Sequence, residues 1–169
     1  GAGVYDHGYI LGYERLTDHA PLLDGPRHRL WRIRATQTVT ATGAIERPLS
    51  FAGNDVPGVM LAASMRDYVV NWGVTPGQKV VVATNNDDAY RTAITLHEAG
   101  IEVVRVLDTR ESGGGDLADK VRALGIRVEC GRAIAKVKDG KRVTKVAICA
   151  QNGEGGAREE IEADAVISR

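Results

Sequence analysis

The sequence predicts an α/β fold with a parallel sheet, covering helices and a β-meander. Three observations lead there. Continuous apolar runs alternate with helix-period runs between residues 79 and 130, as in a parallel sheet joined by helices. Alternating segments separated by D-G and N-G pairs follow from 132 to 162, as in antiparallel hairpins. Glycine supplies 20 of the 169 residues, well above the usual ~7%, so tight turns are numerous.

Near the start, Tyr5, Tyr9 and Tyr13 recur every four residues. That spacing suits one face of a helix or of a strand. Gly8 and Gly12 count against a helix interior, so residues 4–16 read as a strand. Residues 17–28 carry two prolines and a D-G turn signal. The segments 30–35 and 37–42 alternate, are rich in β-branched residues and read as a hairpin or sheet edge. A loop over 43–58 follows. Leu61, Met65, Tyr68, Val69 and Trp72 then keep helical spacing, which predicts a helix over 60–72 ending at Gly73.

The run K-V-V-V-A at 79–83 reads as a buried parallel strand. T-N-N-D at 84–87 is a turn rich in capping residues, and 88–99 a helix with Ala89, Ala93, Leu96 and Ala99 inward. A second strand at 101–108, a glycine-rich turn, a helix over 116–124 and a third strand at 126–130 complete a β-α-β-α-β series, the plan of a mononucleotide-binding half. Strands at 132–138, 142–150 and 158–162 form the meander, and a last apolar strand runs from 165 to 168. The whole is a Rossmann-like three-layer domain. A buried strand so close to the end of the sequence leads us to expect a piece of a longer chain.

Lys+Arg and Asp+Glu are 22 each, so the formal net charge is zero. That argues against a general nucleic-acid binder, which needs a basic stripe. No apolar run nears the ~18 residues of a membrane span and no signal-peptide pattern opens the sequence, so the expectation is cytoplasmic. Cys130 and Cys149 form no C-x-x-C pair and read as buried, reduced thiols. His7, His19, His28 and His97 are scattered, so no metal site is expected.

A dinucleotide fingerprint needs glycines for a tight turn and for backbone approach to pyrophosphate. At that place stand Thr84, Asn86 and Ala89, and only Ala89 fits. Asp87 and Asp88 suit a helix dipole but repel phosphate. Thr84, Asn86 and Asp87 can instead cap the helix that follows. Asp108 ends the second strand, where a ribose-binding acid belongs; a surface acid beside Arg110 is the plainer reading. Thr84, Asn86 and Asp108 are thus candidates for a degenerate nucleotide site. No acid/base pair, triad or nucleophile elbow stands out, so no catalytic residue is assigned.

The string T-A-T-G-A-I-E-R-P at 40–48, the P-G at 57–58, G-Q-K-V-V-V at 77–82 and A-x-x-x-A at 89–93 resemble the pyridine nucleotide-disulfide oxidoreductases. More closely, T-x-N-D at 84–87, Y-D-x-x-Y at 5–9 and G-Y-E-R-x-T-D at 12–18 resemble the alpha subunits of bacterial heterotetrameric sarcosine oxidases. The resemblance spans the whole chain but only a middle piece of such a subunit.

The resemblance implies residues 1–42 as part of a split FAD/NAD(P)-binding domain, 43–162 as a nested Rossmann-like domain, and 163–169 as a return strand to the split domain. Residues 4–42 and 163–168 are then expected side by side, with Tyr9, Leu11 and Tyr13 among exposed apolar groups. It implies a parent complex with beta, gamma and delta subunits, which oxidatively demethylates sarcosine to glycine with O2 and tetrahydrofolate. FAD and FMN belong to that complex and NAD to the alpha subunit, against Thr42 and Gly43. The redox C-x-x-C of the disulfide reductases is missing, so disulfide chemistry is out. The piece itself is expected to be catalytically silent and to hold no cofactor. The alternatives are a free-standing nucleotide-binding module, a structural domain carrying a subunit interface, or the NAD(P)/FAD domain of another flavoprotein.

Overall fold

The computed structural model describes residues 2–17, 25–138, 140–154, 156 and 159–169. Most of the 17–28 turn region, His19, Asp139 of the D-G pair and Arg158 lie outside the described residues. The chain forms two compact units, Gly1–Ala44 and Ile45–Arg169.

The first unit is a three-stranded antiparallel sheet in the order β1 (Ala2–Tyr5), β2 (Tyr9–Arg15), β3 (His28–Arg34). The strand expected over 4–16 is two strands, because the chain reverses between Tyr5 and Tyr9. His7 and Gly8 take positive φ values of 62° and 67° there. A Cβ on Gly8 would lie 2.2 Å from the Ala35 carbonyl oxygen, so glycine is required. Residues 37–42 form no strand, although their alternation predicts one. Alternation makes a strand only where a partner backbone pairs with it, and Val39 is 90% exposed. Tyr13, Leu30, Trp31 and Ile33 are exposed on this sheet, whereas Tyr9 and Leu11 are half-buried.

The second unit has the three predicted layers. Its central sheet is parallel, in the order β4 (Val59–Leu61), β11 (Ala165–Ser168), β5 (Lys79–Thr84), β6 (Glu102–Asp108), β7 (Arg127–Cys130). Helices α1 (Ala62–Trp72), α2 (Asp88–Glu98) and α3 (Gly115–Ala123) cover one face. The antiparallel strands β8 (Arg132–Lys138), β9 (Lys145–Ala150) and β10 (Glu159–Glu162) cover the other. The period of two along β5 divides its side chains between them. Val80 and Val82 pack under the helices with Met65, Tyr90 and Leu96, while Val81 and Ala83 pack against Ile134, Val146 and Ile148 of the meander. Arg105 on β6 ties the sheet to the meander through Glu159, at 2.8 Å.

Three expectations are corrected here. Met60 and Leu61 belong to β4, because parallel pairing with Ile167 and Ser168 takes them before the helix begins. On α1, Tyr68 and Trp72 point outward, 45% and 73% exposed, and Ala62 and Met65 form the buried face. The 163–169 segment, expected as a return strand to the split domain, falls within the second unit. β11 is hydrogen-bonded on one side to β4 and on the other to β5, both within the second unit. All four β11 residues are buried, as a strand covered on both faces must be. The Asp164 carboxylate fixes this placement by accepting from the backbone N–H groups of Gln78 (2.9 Å) and Lys79 (2.8 Å), at the entry to β5.

Candidate functional site

In an open α/β sheet the ligand crevice lies outside the carboxyl ends of the strands. Here that edge carries Thr84, Asp108, Cys130 and Ser168 at the ends of β5, β6, β7 and β11. Two connections roof it: the 85–87 turn into α2, and the 109–114 loop into α3.

The β5–α2 turn is closed on itself. The Thr84 hydroxyl donates to the Asn86 carbonyl at 2.8 Å and accepts from the Asn86 N–H at 3.0 Å. Asn86 Oδ1 accepts from the Asp88 N–H at 3.1 Å. Thr84 and Asn86 therefore hold the turn. Asp87 does not cap α2, contrary to expectation: its Oδ1 accepts from the Gly114 N–H at 3.1 Å and from Arg110 Nη2 at 2.7 Å. It ties one loop to the other.

Asp108 is fully buried, so the surface-acid reading is wrong. Its Oδ1 accepts from the Arg110 backbone N–H at 2.9 Å and from Arg110 Nε at 3.0 Å. Its Oδ2 accepts from Arg110 Nη2 at 2.7 Å and from the Tyr90 hydroxyl at 2.7 Å. Burial alone would raise the pKa of this carboxyl. The hydrogen bonds from Arg110 and Tyr90 outweigh burial and hold it below its ordinary value. Burial, and then the bond to Asp108, push Tyr90 well above the usual phenol value, so it stays a proton donor. Arg110 is held more firmly charged by Asp108. Gly113 packs over the pair, and a Cβ there would lie 2.3 Å from Asp108 Oδ2.

A second ion cluster stands beside α2. Asp88 pairs with Arg66 of α1 at 3.3 Å and with Arg169 after β11. Arg169 also reaches Glu46 at 3.0 Å, and Glu46 Oε2 accepts from the Ala63 N–H at 2.8 Å, in the first turn of α1. Thr42 and Gly43, in the first unit, are exposed in a stretch without regular structure. The two cysteines are free, Cys149 buried and Cys130 half-buried. Among the described residues no group of three or more His, Cys, Asp or Glu side chains is placed to hold a metal ion, and no helix is long and apolar enough to cross a membrane.

Sequence reasoning picked out Thr84, Asn86 and Asp108, and the structure brings them to one strand edge. It missed Tyr90, Gly114, Arg66, Arg169 and Glu46, and it named Arg110 only as a neighbour of Asp108. The one local signal was an arginine two residues after the strand-ending acid.

No protein-family model matches the chain. It is 40% identical over 166 residues to the sarcosine oxidase subunit alpha of Rhizobium meliloti (strain 1021), a match covering 97% of this chain and 16% of that protein. It is 40% identical over 172 residues to the sarcosine oxidase subunit alpha of Corynebacterium sp. (strain P-1), covering 96% and 17%. Among solved structures it resembles an FAD-dependent pyridine nucleotide-disulphide oxidoreductase from Desulfovibrio vulgaris, with a TM-score of 0.58 and 15% identity over 99% of this chain and 41% of that one. That likeness is one of fold. The chain spans about a sixth of the length of the curated relatives it matches. By sequence, the chain is similar to one segment of the alpha subunits of sarcosine oxidase over nearly all of its own length.

Proposed function

We propose that the chain is a segment of a heterotetrameric sarcosine oxidase alpha subunit, and that its Ile45–Arg169 unit is a nucleotide-domain scaffold without a working dinucleotide site. The 40% identity across nearly the whole chain supports the parent. One observation carries the second half: both oxygens of Asp108, the acid in the ribose position, are taken by Arg110 and Tyr90.

The residues at 84–89 do not fit a dinucleotide. Thr84 and Asn86 spend the local donors on the turn itself. Asp87 occupies the Gly114 N–H, and Asp88 brings a carboxylate to the helix N-terminus where pyrophosphate would lie. In the parent, NAD lies against Thr42 and Gly43. An added Cβ at Gly43 meets nothing within 4 Å, so those two residues make no cradle alone. Other parts of the alpha subunit complete that site.

In this reading the complex, with its beta, gamma and delta subunits, FAD and FMN, demethylates sarcosine to glycine with O2 and tetrahydrofolate in the cytoplasm. The segment contributes structure and no chemistry. The test is sarcosine-dependent oxygen uptake by the complex built with the full alpha subunit carrying this segment. Activity is expected, with kcat and NAD content unchanged by Asn86→Ser and NAD content lowered by Gly43→Val. A complex with no sarcosine-dependent uptake refutes the parent. Loss of NAD in Asn86→Ser refutes the scaffold.

A further inference from the structure

We propose that Asn152 is a site of self-modification: in the folded chain its side-chain amide closes on the Gly153 nitrogen and is converted, with water, to aspartate and isoaspartate.

The nucleotide-domain reading makes no use of the N-G pair between β9 and β10. Asparagine also stands at 54, 71, 85 and 86, but only Asn152 precedes a glycine. Ring closure brings the next backbone nitrogen onto the side-chain carbonyl carbon, and a side chain on that next residue obstructs it. An added Cβ at Gly153 would meet nothing within 4 Å, so the space around the pair is open. Gly153 also has a φ of +76°, which glycine adopts without strain. Residues 151–154 are all exposed, between the end of β9 at Ala150 and the start of β10 at Glu159.

The turn also prepares the carbonyl. Asn152 Oδ1 accepts from the Glu154 backbone N–H at 3.0 Å. That bond folds the side chain over its own main chain. It also sets a donor on the oxygen where negative charge develops during attack. The Gly153 N–H donates to the Ala150 carbonyl at 2.9 Å. This bond must open first, and an exposed turn opens by itself at little cost while the flanking strands stay paired. Hydroxide then removes the Gly153 proton. The nitrogen bonds to Cγ, the Cγ–Nδ2 bond breaks, and Nδ2 takes a proton from water and leaves as ammonia. Water opens the cyclic imide at either carbonyl. Both products carry a new carboxylate near Glu154, and isoaspartate adds a carbon to the main chain. The other asparagines are held differently. Asn71 lies within α1 before the bulky Trp72. The nitrogen after Asn85 donates to the Thr84 hydroxyl, and Asn86 Oδ1 is engaged by the Asp88 N–H at the start of α2.

The experiment incubates the intact chain, Gly153→Ala and Asn152→Gln at neutral and mildly alkaline pH, with and without urea. Peptide mass spectrometry reads each asparagine, and thermal melts check that each variant is folded. Conversion of Asn152 gains the mass difference between an amide and an acid. Isoaspartate formed at the Asp139-Gly140 pair would bring no such gain. Without urea, Asn152 is expected to convert before every other asparagine, faster as hydroxide rises, and position 152 to convert several-fold more slowly in both variants. Conversion of Asn152 only in urea, earlier conversion of another asparagine, or an undiminished rate in a folded variant would each overturn the proposal.

Discussion

Replacing Tyr90 with phenylalanine isolates one bond of the buried network. Tyr90 is fully buried, and its ring packs in the core between helices and sheet. Phenylalanine keeps that packing and removes only the hydroxyl, which donates to Asp108 at 2.7 Å. A hydrogen bond to a charged group contributes about 1.5–3 kcal/mol. Asp108 Oδ2 keeps Arg110 Nη2 in the variant, so the acceptor is not orphaned and the lower end applies. The expected loss is about 1.5–2 kcal/mol, or a fall in Tm of roughly 5–10 °C for a unit of this size. Denaturant unfolding followed by the helix band in circular dichroism reads the second unit, because α1, α2 and α3 all lie there. The midpoint should fall with the slope unchanged. The loss also has a sign in pH. The folded-state pKa of Asp108 lies below its ordinary value, so the stability it contributes is present above about pH 4 and is lost as pH falls through the folded pKa. The gap between wild type and Tyr90→Phe should be full at neutral pH and shrink in acid. A variant as stable as the wild type at neutral pH, or a gap that widens in acid, would refute the network.

Gly114→Ala should cost about 2–4 kcal/mol in denaturant unfolding, because φ is +84° and the new Cβ would lie 2.5 Å from Ala118 Cβ and 2.7 Å from the Tyr90 ring. Gly73→Ala, also at positive φ but with nothing within 4 Å of the new Cβ, should cost only about 1 kcal/mol by the same measurement. Asp164→Ala should lower stability by about 1–2 kcal/mol by freeing the backbone N–H groups that place β11 beside β5, and Asp164→Asn should cost less because it keeps an acceptor.

The helical and strand elements from 79 to 130 were legible because their signals are local. Val80, Val81 and Val82 mark a strand buried on both faces, and Ala89, Ala93 and Leu96 mark one helix face. What failed depended on partners distant in sequence. Ala165–Ser168 reads correctly as a strand, but its place between β4 and β5 is set by pairing with Val59–Leu61 and Val80–Ala83, far earlier in the chain. The alternation over residues 37–42 signals a strand, yet none of the described strands pairs with it. The candidate site divided in the same way. Thr84 and Asn86 were readable as a turn that satisfies itself, since their bonds span two residues. The Asp87 bond to Gly114 spans 27 residues and exists only once two loops are folded to the same edge. Asp108 carried two opposed readings because its neighbour Arg110 is equally able to point to solvent or to turn inward.

We expect no working dinucleotide site at the carboxyl ends of β5 and β6. Titration of the wild-type chain with NAD, followed by heat or by backbone amide shifts, tests it most directly. The expected Kd is weaker than ~100 μM, equivalent to less than about 5.5 kcal/mol. A micromolar Kd that vanishes in Asp108→Ala would contradict it.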